Sequence, residues 1–186
     1  MTAAFDALDA AVDGVVALEF DALTTRERLG LLERCERARP RLPAVEHPLI
    51  NQLARQATAE ELGGKLSHTV AEWTLISRAE AGRRLREAAD LGPRQALTGE
   101  PLAPVLAATA AGQREGKLGA GQVALIRRFY HQLPGWVDAA ARECAEADVA
   151  RLGSQSHGHQ NHGRPGWSAR GGSRWMVTVR GGGVVA

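Results

Sequence analysis

A chain of 186 residues, 44% hydrophobic and 24% charged, has the make-up of an ordinary soluble domain and is long enough to bury one self-sufficient core. Its net charge of +2 is uneven: residues 151–186 carry five Arg and no acid, which leaves −3 on residues 1–150, so the basic balance marks no nucleic-acid surface on the body. Cys35 and Cys144 form no framework, Asp6, Asp9 and Asp13 break up any export signal, and no apolar run approaches the ~20 residues of a membrane span, so the expectation is a cytoplasmic protein without a membrane partner.

Helical periodicity runs through the body. Phe5, Leu8, Val12 and Val15 make an apolar stripe opposite the three Asp residues. Thr24 and Glu27 announce a second helix through Leu29, Leu32 and Cys35. Pro40, Pro43 and Pro48 predict a bend or fresh start, with a third helix over 45–62 ended by Gly63 and Gly64. Helices follow near 67–75 and 78–91, the latter opened by Ser77 with Glu80 as a reciprocal cap and stopped by Gly92 and Pro93. A turn at 97–101 leads to helices over 104–114, 121–132 and 136–152, with Trp136, Ala140, Cys144 and Ala147 sharing a face in the last. No segment alternates long enough for a strand. The expected fold is all-α, a bundle of about seven to eight helices over residues 1–152.

Residues 153–186 contain no Leu, Ile, Asp, Glu or Lys and many Gly. They are expected to form a disordered Gly/Arg/His-rich tail, with 175–179 the one stretch able to extend as a strand. His157, His159 and His162 have a spacing that binds zinc, copper or nickel, but no scaffold surrounds them, so no metal is assigned.

The segments LPAVEHPLINQLARQATAEELGGK, ISRAEAGRRLREAADLGPRQALTGEPLAPVLAATAAGQREGKL and RRFYHQLP resemble domain of unknown function 222, the helical N-terminal module of an actinobacterial repeat family. The resemblance covers roughly residues 1–152 and rests on Ala-rich helices joined by the same Gly-Pro and Gly-Glu-Pro turns in the same order. It implies a longer helical segment, a C-terminal HNH endonuclease domain and an association with DNA and mobile elements. Here SHGHQNHGRPGW follows instead, and no HNH motif appears. A frameshifted or truncated copy is the expectation.

The candidate working surface is the helix pair flanking Ser77, whose second member carries Arg78, Arg83, Arg84 and Arg86, as in a helix-turn-helix protein that sets arginines against DNA. Glu80, Glu87 and Asp90 share that helix at ion-pairing distance, and this spacing favours a solvated face of weak ion pairs. His47, His68 and His131 read as isolated packing or surface residues, Cys35 and Cys144 as small core residues, and Trp73 and Trp136 as core anchors. No nucleophile, base and orienting group assemble, and no phosphate loop or cofactor motif occurs. The sequence thus points to a non-catalytic module without a cofactor, with DNA as one candidate partner. The alternatives are a protein-interaction or dimerisation module, with Ala-rich faces at 105–111 and 136–147, and the remnant of a decayed gene.

Overall fold

The computed structural model describes residues 2–156. Helices α1 (Thr2–Val16), α2 (Thr25–Ala38), α3 (Arg41–Gln56), α4 (Ala59–Leu62), α5 (Leu66–Thr74) and α6 (Arg78–Leu91) precede a minimal hairpin, β1 (Arg94–Gln95) and β2 (Pro101–Leu102). Then come α7 (Ala107–Arg114), α8 (Ala120–Gln132) and α9 (Ala139–Ser156). The fold is all-α, as the periodicity requires. The hairpin is a short antiparallel ladder, Arg94 against Leu102 and Gln95 against Pro101, formed where the sequence showed only a turn.

Local signals explain most boundaries. Thr24 and Glu27 form the full capping box, the Thr24 amide donating to Glu27 Oε2 at 2.7 Å and the Glu27 amide to Thr24 Oγ1 at 3.3 Å. The expected third helix divides: α3 ends at Gln56, and Thr58 with Glu61 caps a new turn, α4, which Gly63 closes at φ +64°. Neither Pro43 nor Pro48 stops α3, because Pro43 lies in the first turn, where amides have no intrahelical acceptor, and Pro48 removes a single bond from a long helix. At Ser77 the cap is one-sided. The Glu80 amide donates to Ser77 Oγ at 3.1 Å, while the Glu80 carboxylate turns to arginines instead of returning to the cap.

Helix α6 is the axis of the fold. Ala81 and Ala88 are fully buried, and their small side chains let α3 and α5 pack closely on it. The apolar core lies beyond its C-terminal end, where Leu91, Leu106, Ala110, Leu118, Val123, Ile126 and Ala150 join α6, α7, α8 and α9. Burying a Leu such as Leu106 or Leu118 contributes about 2 kcal/mol. Gly112 is required at the α7 crossing, since a Cβ there would stand 2.7 Å from Leu118 Cδ1.

Several expected core assignments are corrected. Trp73 and Trp136 are 84% and 85% exposed, and Cys35 and Cys144 are exposed too. In α9 the buried side is not the apolar stripe of Ala140, Cys144 and Ala147 but the face bearing Glu146 and Ala150, because Glu146 has a polar target in the interior. Of the 105–111 segment, Leu106, Thr109 and Ala110 are buried, while Ala107 and Ala111 are exposed. Helix α9 continues to Ser156, past the expected boundary at Leu152. The expected tail beyond it, with its histidine cluster and possible strand at 175–179, lies outside the described residues.

Candidate functional site

A polar seam crosses the bundle where α6 meets α3, α7 and α8. Glu87 and Asp90, one turn apart on α6, are 7% and 8% exposed. Glu87 Oε2 accepts from Arg83 at 2.7 Å and lies 3.8 Å from the Arg127 guanidinium. Glu87 Oε1 stands 3.8 Å from His47 Nε2 and 3.5 Å from Gln113 Nε2. Asp90 Oδ2 accepts two Arg127 nitrogens at 2.8 Å, and His131 Nε2 lies 3.0 Å away. Gln113 Oε1, within this seam, has no hydrogen-bond partner among the described residues.

The seam sets the charge state of His47. Burial, and secondarily the Arg127 cation, push its imidazole down to about 4. The nearby Glu87 carboxylate does not offset this, since Arg83 and Arg127 already engage it. His47 is a neutral, buried side chain at pH 7.

The four arginines singled out on α6 separate into two groups. Arg83 donates to Glu80 at 2.8 and 2.7 Å and to Glu87, and Arg84 donates to Glu80 at 3.0 Å and to Glu46 at 3.2 Å. Hydrogen bonds from Arg83, then Arg84, hold the Glu80 carboxyl down to about 2. The expected ion-pair lattice is therefore present. Arg78 comes only within 3.9 Å of Glu72, and Arg86 has no ion pair or hydrogen bond among the described residues. The inner face of α6 carries Ala81, Glu87, Ala88, Asp90 and Leu91, so only its outer strip is open to a ligand.

Sequence reasoning missed the seam. Glu87 and Asp90 read as solvated, and His47 and His131 as isolated, because their partners lie 26–41 residues away. The one local signal was Arg127 with His131, a cation and an imidazole four apart on α8, both turned toward Asp90.

Two surfaces adjoin the seam. An open apolar groove of about 850 Å³ lies along α3, α4 and α5, lined by Leu49, Ile50, Leu53, Leu62, Val70 and Trp73. A smaller groove of about 490 Å³ lies between α6 and α8. Among the described residues no group of three or more His, Cys, Asp and Glu side chains is placed to hold a metal, and no helix is long and apolar enough to cross a membrane.

The chain is 57% identical over 155 residues to an uncharacterized protein of Mycobacterium tuberculosis (strain CDC 1551 / Oshkosh), covering 83% of this chain and 37% of that one. It is 57% identical over 155 residues to an uncharacterized protein of strain ATCC 25618 / H37Rv, covering 83% and 34%. A Mycobacterium bovis uncharacterized protein is 49% identical over 163 residues, covering 88% and 36%. The chain thus spans about a third of the length of the curated relatives it matches. No solved structure matches it. Residues 29–161, which include the polar seam and run past the composition break at Gly153, match a domain of unknown function, DUF222, and the chain belongs to that family.

Proposed function

We propose that the chain is a non-catalytic helical docking module within a longer polypeptide, whose open apolar faces receive a further helical segment from the remainder of that polypeptide. The observation that carries this reading is α1: it has no buried residue, and Phe5, Leu8, Val12 and Val15 are 39–54% exposed along one stripe. A lone helix of this length is marginal in water and needs a partner for its apolar side. The α3–α5 groove adds a receptor of the size and character that takes an amphipathic helix. Beside it Leu75, 92% exposed, sits in the left-handed region at φ +56°, where a branched side chain is strained. The occupant is argued from length, since two thirds of each relative lies outside the matched part. The non-catalytic part of the reading is supported by the two carboxylates that converge inside, since Arg83 and Arg127 engage Glu87 and Arg127 and His131 engage Asp90.

The test is to add the remaining portion of a mycobacterial relative to the full chain and follow amide exchange. Protection of α1 and of the segment around Trp73 supports the reading, and no complex at micromolar concentration defeats it. Sedimentation of the chain alone as a stable dimer would favour a second copy as the occupant.

A second reading, contact with DNA, is favoured by Arg78 and Arg86, which stay outside the ion-pair lattice. Linkage to an HNH nuclease further along the polypeptide is what the family resemblance implies. Phosphate contacts would make DNA affinity fall steeply with salt. Failure of the full chain to retard duplex DNA at low salt removes this reading and leaves the docking module in place.

A further inference from the structure

The groove between α6 and α8 is built from Arg86, Ala89 and Asp90 on one side and Ala124, Arg127, Arg128 and His131 on the other. Three guanidiniums face one carboxylate. Asp90 is already taken, because Arg127 and His131 both bind its Oδ2. That leaves Arg86 and Arg128, both exposed, without an ion pair or hydrogen bond among the described residues. The reason is local. Carboxylates at helical spacing pair Arg83 and Arg84, whereas the positions one turn from Arg86 are Gly82 and the occupied Asp90, and those one turn from Arg128 are Ala124 and Gln132.

Small residues, Ala89 and Ala124, leave space between the two cationic arms. Arg127, pinned by Asp90 and only 15% exposed, is a fixed cation at the inner wall. Two unpaired forks beside a rigid third guanidinium suit a tetrahedral oxyanion, which offers each fork two acceptor oxygens. A carboxylate ligand would satisfy one fork and leave the other idle. We propose that the α6–α8 groove is an oxyanion site that takes a phosphate group between Arg86 and Arg128, with Arg127 fixing its inner edge.

A free phosphate compound can meet both forks with one group, whereas a nucleic-acid backbone, with two non-bridging oxygens on each phosphodiester, would set neighbouring phosphates on the two forks. The site is independent of the DNA reading in the first case and extends it in the second. The experiment titrates the full chain at low salt with inorganic pyrophosphate by calorimetry, and with a short mixed-sequence DNA duplex by gel retardation. It compares the wild type, the double variant Arg86→Ala/Arg128→Ala, and Arg78→Ala as a control outside the groove. Both groove side chains are exposed, so the double variant should keep the wild-type circular dichroism melt.

The expected result is saturable pyrophosphate binding that weakens about tenfold or more in the double variant and is unchanged in Arg78→Ala. If the duplex is the natural source, the double variant also lowers the slope of log affinity against log salt by about two. Pyrophosphate binding without duplex retardation keeps the groove and ends the DNA reading. Duplex retardation unaffected by the double variant, with pyrophosphate binding lost, keeps the groove and places any DNA contact elsewhere. The proposal is overturned if the wild type fails to bind pyrophosphate at millimolar concentration, or if the double variant binds it as well as the wild type does.

Discussion

Glu146 of α9 closes the N-terminus of α7 through Thr109. Its Oε1 accepts from the Thr109 amide at 2.6 Å and from the Thr109 hydroxyl, and its Oε2 from the Ala108 amide at 3.3 Å. Helix α7 begins without a side-chain cap of its own, so a carboxylate 37 residues downstream supplies both the acceptor and the negative charge that its first turn favours. Both side chains are buried, at 2% and 0% exposure. Glu146→Ala strands those donors and should cost about 2–4 kcal/mol in urea unfolding, against about 1 kcal/mol for Thr109→Val, which keeps the amide bonds.

His47 gives the protein an acid-sensitive step. Its pKa is near 6.5 unfolded and about 4 folded, so as pH falls below 6.5 the unfolded chain takes up a proton that the native protein refuses. Stability should be unaffected by this group above pH 6.5 and should fall by about 3 kcal/mol between there and pH 4. Urea midpoints of the wild type and His47→Gln across this window check it. A slope equally steep in the variant would show that other groups set the acid sensitivity.

Glu80 has the opposite sign. Its carboxyl is held down to about 2, so its contribution is present above the ordinary carboxylate range and is lost as pH falls toward 2. Its side chain is 31% exposed, and screening limits the contribution, so Glu80→Gln should cost about 1 kcal/mol in thermal unfolding. The same substitution removes one negative charge from the strip and leaves Arg83 paired with Glu87 and Arg84 with Glu46. If the outer strip of α6 meets a phosphate backbone, the variant should bind duplex DNA more tightly than the wild type.

Gly116 holds the α7–α8 loop against the end of α2. It sits at φ +72°, and a Cβ there would collide with the Arg37 carbonyl oxygen. Gly99, at φ +87° with open space around it, supplies the control. Gly99→Ala should cost about 1 kcal/mol from backbone strain alone, and Gly116→Ala about 1–3 kcal/mol more, read from melting temperatures.

Leu75 closes α5 in the left-handed region, its amide donating to the Ala71 carbonyl, while its side chain is 92% exposed. Leu75→Gly should therefore raise the stability of the isolated chain by about 0.5–1 kcal/mol. It should also weaken the docking of a helical partner, if the exposed leucine is part of that surface. A variant as stable as the wild type or less so would mean that the strain is relieved in some other way.

The helix ends were legible where a few neighbouring residues decide them. Thr24 with Glu27, Gly63, and Gly92 before Pro93 stop or start helices through bonds and dihedrals that need no distant partner. The Thr58 and Glu61 signal was equally plain in the sequence. It was overridden by apolar periodicity carried across Ala57, so one helix was expected where there are two. The α6 ion pairs were also legible, being local spacing on one helix face.

Burial was not legible in the same way. The sequence by itself determined most helical segments, the local cap of Thr24 with Glu27 and the paired state of Arg83 and Arg84, because backbone hydrogen bonding and i, i+4 contacts are settled within a turn or two. Only the tertiary structure decided that Glu87, Asp90 and Glu146 go inward while Trp73, Trp136 and the α1 stripe stay outward. A carboxylate can be buried when a guanidinium or a helix N-terminus meets it from another element, and an aromatic side chain is buried only where another element covers it. Arg127 and the first turn of α7 meet those acids, and no described element covers those tryptophans.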